Sequence, residues 1–81
     1  MNNLSHKVTF DAAEHVKVGD IYASTDDDGV QIIVKVVKQL DSNWNRYFEG
    51  QILMVSEIER SYFRIGEIHH CDRRYYKKLN K

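Results

Sequence analysis

The stretch Val30-Gln31-Ile32-Ile33-Val34-Lys35-Val36-Val37-Lys38-Gln39-Leu40 decides the fold class of this chain. Val30, Ile32, Val34, Val36 and Leu40 share one parity while Gln31, Lys35 and Gln39 share the other. A period of two is the spacing at which successive side chains of a strand turn to opposite faces. β-branched residues dominate the apolar parity and pack well on a pleated surface. The stretch predicts a long strand with one face in a core.

Upstream, Asp26-Asp27-Asp28-Gly29 reads as a tight turn, because Asp-Gly supplies the positive-φ positions that hairpin turns need. It joins the long strand to a first strand at Ile21-Tyr22-Ala23-Ser24, entered by a corner at Gly19-Asp20. Residues 11–17 predict a helical turn or two, with Asp11 as cap, Glu14 three residues later and Ala12 and Ala13 as helix formers. Residues 1–8 are expected to fray.

Downstream, the loop of residues 41–45 leads to a second long strand over residues 46–56, whose Phe48, Gly50, Ile52 and Met54 are expected to complete the same core face. With Leu40 paired to Arg46, Ile33 lies opposite Leu53 on the outer face, with Val37 and Val55 nearby. That face is less polar than a solvated one. Residues 10–16, closure of the sheet, a partner or a dimer mate are the candidates to cover it. Residues 57–61 read as a polar connector, residues 62–68 as a strand with Gly66 at a bulge, residues 72–75 as a helical turn and residues 76–79 as a last short strand. Short strands joined by turns in so small a chain predict a sandwich or barrel.

The order Val16-Lys17-Val18-Gly19-Asp20-Ile21-Tyr22, a turn, two long β runs and a closing Arg73-Arg74-Tyr75-Tyr76-Lys77-Lys78-Leu79 resembles small SH3-like β-barrel proteins of the phage and prophage type. The likeness covers residues 16–79. It implies a mostly all-β fold: one domain over residues 1–81, built as a small, partly open SH3-like barrel with a short N-terminal helical turn and another before the last strand. A fold of this kind does not by itself supply a function.

Eighty-one residues, nine of them aromatic and 42% apolar, suffice for one ordered core. The single cysteine, Cys71, excludes an internal disulfide and fits a reducing, cytoplasmic setting. No signal-peptide pattern and no run of ~18 apolar residues is present, so no membrane partner is expected. The net charge of zero hides a split: residues 1–72 carry seven Lys/Arg against twelve Asp/Glu, and residues 73–81 carry five cations and no acid. Partners respond to local charge within about a Debye length, ~8 Å at physiological salt.

His69-His70-Cys71-Asp72 collects four potential metal ligands, but neighbours on a strand face opposite ways, so they do not converge as a structural metal site requires. Cys71 beside His70, with Arg73 and Arg74 following, also reads as a nucleophile and base. There is no nucleophile elbow, phosphate-cradling glycine loop or zinc-protease motif, and little room for a deep pocket. Asp26, Asp27 and Asp28 lack the alternating ligands of a calcium loop. No enzyme, metal or cofactor is expected.

Trp44, Arg46 and Tyr47 lie at or beside the hairpin tip and have the composition of a binding hot spot, unless Trp44 folds back over an open barrel end. The tail interleaves cations with tyrosines, as single-strand nucleic-acid sites do, or else places Tyr75, Tyr76 and Leu79 in the barrel seam behind a soluble edge. The acidic body weighs against a general phosphate-binding surface. The sequence therefore predicts a non-enzymatic module acting through protein–protein interaction, of the phage accessory or inhibitor kind, with self-association as a homodimer among its modes. Its contact residues are Trp44, Arg46, Tyr47, Ile33 and Leu53. The alternative is a nucleic-acid-binding barrel using Arg46, Arg73, Arg74, Lys77 and Lys78.

Overall fold

The computed structural model describes residues 15–40 and 46–79. They form one antiparallel sheet of five strands: β1 (Ile21–Thr25), β2 (Gln31–Gln39), β3 (Tyr47–Val55), β4 (Ile68–Asp72) and β5 (Lys77–Lys78). A 3-10 turn, Arg73–Tyr75, lies between β4 and β5. The spatial order is β4-β3-β2-β1-β5, so the first four strands meander and β5 returns to pair with β1. The fold is all-β over the described residues, and no helix among them is long and apolar enough to cross a membrane.

Strands consecutive in sequence sit at opposite edges here, and that forces curvature. A flat five-stranded sheet is about 19 Å wide, whereas residues 73–76 include a 3-10 turn that rises only about 2 Å per residue. The sheet curls so that its edges approach, but no pairing joins β4 to β5 and it stays open. Inside the curl, Phe48 of β3 packs its ring against Tyr22 of β1 at 5.1 Å and, edge-on, against Tyr76 at 5.7 Å. Val16, Val30, Ile32, Val34, Val36, Ile52, Val55, Phe63 and Cys71 complete the buried cluster.

The Asp26–Gly29 turn forms as its residue types dictate. Gly29 takes a φ of 84°, its N–H reaches the Asp26 carbonyl at 3.1 Å, and the Asp26 carboxylate accepts the N–H groups of Asp28 and Val30 at 2.9 Å each. Asp26 is buried because its own turn supplies its hydrogen bonds.

Two bulges correct the expected register of the central hairpin. Val34, Lys35 and Val36 face Ile52, Gln51 and Gly50 as predicted, but Ile33 faces Met54, so Leu53 is an extra residue of β3. Val55 consequently turns into the core opposite Ile32, and Met54 takes the outer position expected for its neighbour. At the other end Val36 faces Gly50 and Lys38 faces Glu49, leaving Val37 as an extra residue of β2. Leu40 therefore rotates out to 38% exposure and donates its N–H to the carbonyl of Tyr47, not Arg46, at 3.1 Å.

The strand expected over residues 62–68 is mostly turn. Gly66, at a φ of 91°, donates to the Ile52 carbonyl at 2.8 Å, and the chain becomes a strand only from Ile68. The His69–Asp72 stretch thus lies in β4, and the last strand shortens to Lys77–Lys78. Residues 15–17 are irregular; the rest of the expected N-terminal turn, the fraying segment and the Trp44 loop lie outside the described residues.

Candidate functional site

Tyr47, the first residue of β3, faces Asp72, the last of β4, so the residues flanking both strands gather at one end of the sheet. Asp72 caps the 3-10 turn by accepting the Arg74 N–H at 3.0 Å. The same carboxylate receives Nε and Nη2 of Arg74 at 3.1 and 2.9 Å, and Nε and Nη2 of Arg46 at 3.3 Å each. Burial alone would raise the Asp72 pKa, but the hydrogen bonds from Arg74 and then Arg46 outweigh it and hold the carboxyl below its ordinary value.

Each guanidinium is also laid on a ring. Arg46 sits 4.9 Å from the centroid of Tyr47 and Arg74 sits 5.5 Å from that of Tyr75. Tyr47 in turn meets His70 at 5.3 Å. Two cations sharing one anion leave the corner with a net positive charge, and Nη1 of each arginine has no acceptor among the described residues. The corner holds two guanidinium groups in fixed positions, and each keeps N–H groups of the kind that pair with carboxylate oxygens.

The corner closes one end of the sheet's outer face, where the polar row Lys38, Glu49 and His70 comes next to it. Ala23, Ile33 and Met54 form one cross-strand row, and Ile21, Lys35, Gln51 and Ile68 form the next. Ile33 is half-buried, whereas Leu53 at its bulge is 43% exposed and Ile68 on the edge strand 54%. Of the expected contact residues, the fold brings Arg46 and Tyr47 together but sets Ile33 and Leu53 near the other end of β3, about 20 Å away at ~3.3 Å per strand residue; Trp44 lies outside the described residues.

The basic tail is largely committed internally. Arg73 is 2% exposed within the 3-10 turn, Arg74 is held on Asp72, and the Lys78 ammonium lies 3.6 Å from Asp20 Oδ2. Lys77 is exposed opposite Ala23. The hydroxyl of Ser24 donates to the Tyr75 carbonyl, which fastens the turn to β1.

His69, His70 and Cys71 do not converge. His69 and Cys71 face inward with Gly50 and Phe48, while His70 faces outward against Tyr47. His69 packs edge-on against Phe63 at 5.0 Å and sits 3.2 Å from the Glu67 carboxylate. Cys71 is 1% exposed, and burial pushes its thiol up to about 11, so it is protonated at neutral pH. Among the described residues Asp26, Asp27 and Asp28 bring carboxylate oxygens within 4.8 Å of one another, but the buried one is occupied by its own turn.

No protein-family model, curated protein or solved structure matches the chain. Function is therefore read from the surface itself. The sequence assigns Asp72, Met54 and Ile68 other places, as a candidate metal ligand, a core residue and a strand residue, and Tyr75 enters only with the basic tail. Asp72 preceding Arg-Arg-Tyr carries a capping signal, whereas Met54 reaches the outer face only through a bulge that nothing local announces.

Proposed function

We propose that this protein is a small, non-enzymatic binding module that acts by protein–protein interaction, in the manner of a phage-type accessory or inhibitor protein. The observation that carries this reading is the Arg46–Asp72–Arg74 corner at one end of the sheet, two guanidinium groups fixed on one carboxylate and laid on tyrosine rings, with exposed Ile68 on the same strand as Asp72. Arginines backed by aromatic rings are enriched at protein interfaces and among their hot spots. The strand order and the short β4–β5 connection support a partly open SH3-like barrel as the scaffold. The single buried thiol fits a cytoplasmic setting. The test is recovery of partners from lysate by wild type, Leu53→Asp and Trp44→Ala side by side. Equal recovery by all three proteins removes both surfaces from the reading.

One observation favours a second reading, single-strand nucleic-acid binding: arginines stacked on Tyr47 and Tyr75 place cations beside rings on which bases stack. The burial of Arg73 and the pairing of Arg74 and Lys78 weaken it. Salt titration separates the two, because phosphate contacts lose affinity steeply as salt rises.

A further inference from the structure

The outward edge of β4 ends at the arginine corner, and the two features point to the same kind of ligand. The bonds from Ile52 N–H to the Glu67 carbonyl and from Arg73 N–H to the Arg46 carbonyl, 2.8 Å each, fix the phase of the β3–β4 ladder. In that phase Phe48 and Cys71, then Gly50 and His69, exchange the hydrogen bonds. The N–H and C=O groups of Ile68 and His70 therefore point away from β3, along an edge that no strand among the described residues covers. No proline or lysine blunts the strand, although edge strands usually carry such protection.

We propose that β4 accepts an extended peptide of a protein partner as an added antiparallel strand, with a carboxylate of that peptide held by Arg46 and Arg74. This rests on the protein-interaction reading above and names its ligand. Ile68, His70 and Asp72 share the outer face, so the added residues opposite them share it too. A residue opposite Asp72 meets the spare guanidinium N–H groups and is acidic. The residue two further along lies opposite His70, and the one four along lies beside exposed Ile68 and is apolar. The ligand is thus an extended segment with an acid at one position and an apolar residue four later. Main-chain bonds supply the docking and the corner supplies the choice, as in other strand-addition interfaces.

Charge also decides against a second copy as the occupant. Antiparallel pairing of β4 with itself about His70 sets Ile68 opposite Asp72 and brings no additional acid to the outer face of the corner. An acidic peptide matches the surplus positive charge directly.

The test uses the full chain and a fluorescein-labelled peptide Lys-Glu-Thr-Val-Thr-Leu-Lys, read by anisotropy and by amide exchange. Binding is expected below about 1 mM, with slowed exchange at the Ile68 and His70 amides. Replacing the peptide's Glu by Gln should weaken binding about tenfold. Arg74→Gln and Arg46→Gln should each erase that preference, and N-methylation of the peptide's central Val should abolish binding. The proposal is overturned by no binding at about 1 mM, by equal affinity for the Glu and Gln peptides, or by binding that survives N-methylation. Displacement of the peptide by single-stranded oligothymidylate at equal concentration, or light scattering showing a β4-paired dimer, also overturns it. If the peptide fails while Leu53→Asp still removes lysate partners, strand addition falls and the interaction reading stands.

Discussion

Gly50 of β3 keeps open the space that Cys71 of β4 fills: a Cβ at position 50 would stand 3.1 Å from the Cys71 sulfur and 3.1 Å from Cβ and Cγ2 of Val34. Three strands close on this point, since Gly50 pairs with Val36 on one side and His69 on the other. Gly50→Ala should therefore destabilise the fold by about 1–3 kcal/mol, the usual cost of overpacking a core. Urea unfolding measures this, and the loss should shrink in a Cys71→Ala background, where the sulfur is gone. An unchanged midpoint in Gly50→Ala would refute the packing.

The Cys71 thiol is raised by burial from 9.0 to about 11 in the fold. A folded pKa above the unfolded one gives a stabilisation that is complete below about pH 9 and lost as pH rises toward 11. Wild type should lose stability across that window more steeply than Cys71→Ala. A thiol reagent at pH 8 should react slowly with the native chain and rapidly in denaturant. Fast labelling of the native protein would contradict the burial.

Asp72 has the opposite linkage. Its hydrogen bonds from Arg74 and Arg46 hold its folded pKa below the ordinary 3.8, so its contribution is present above that pH and disappears as pH falls below it. The stability difference between wild type and Asp72→Asn should be constant near neutrality and should narrow below about pH 4. Chemical denaturation at several pH values reads it, and a gap that widens in acid would be the wrong sign.

The Leu53 bulge makes Met54 and Val55 exchange the faces that simple alternation assigns them. Val55→Asp should unfold the protein or cost about 3 kcal/mol or more, because it buries an unpaired charge. Met54→Asp, on the outer face, should cost under about 1 kcal/mol. Thermal melts of the two variants distinguish a bulged from an unbulged hairpin. Reversal of the order would place Met54 in the core.

The sequence by itself determined the first three strands and the turn between the first two. Alternation of Val30, Ile32, Val34 and Val36 and the turn chemistry of Asp26 to Gly29 are local properties, set by backbone sterics and by which side chains prefer water. The flanks of the Arg46 and Asp72 corner were also legible, as cations beside strand ends. What only the tertiary structure decided was the phase of each strand beyond its first few residues. Leu40, Met54 and Val55 were misplaced because Val37 and Leu53 are ordinary strand residues, and each becomes a bulge only when two strands must twist together around a shared core. Nor did local pattern show that Arg73 would be buried while Arg74 and Arg46 met on one carboxylate. Asp72 and Arg46 are twenty-six residues apart in the chain, and their meeting depends on β3 and β4 lying side by side in one particular register.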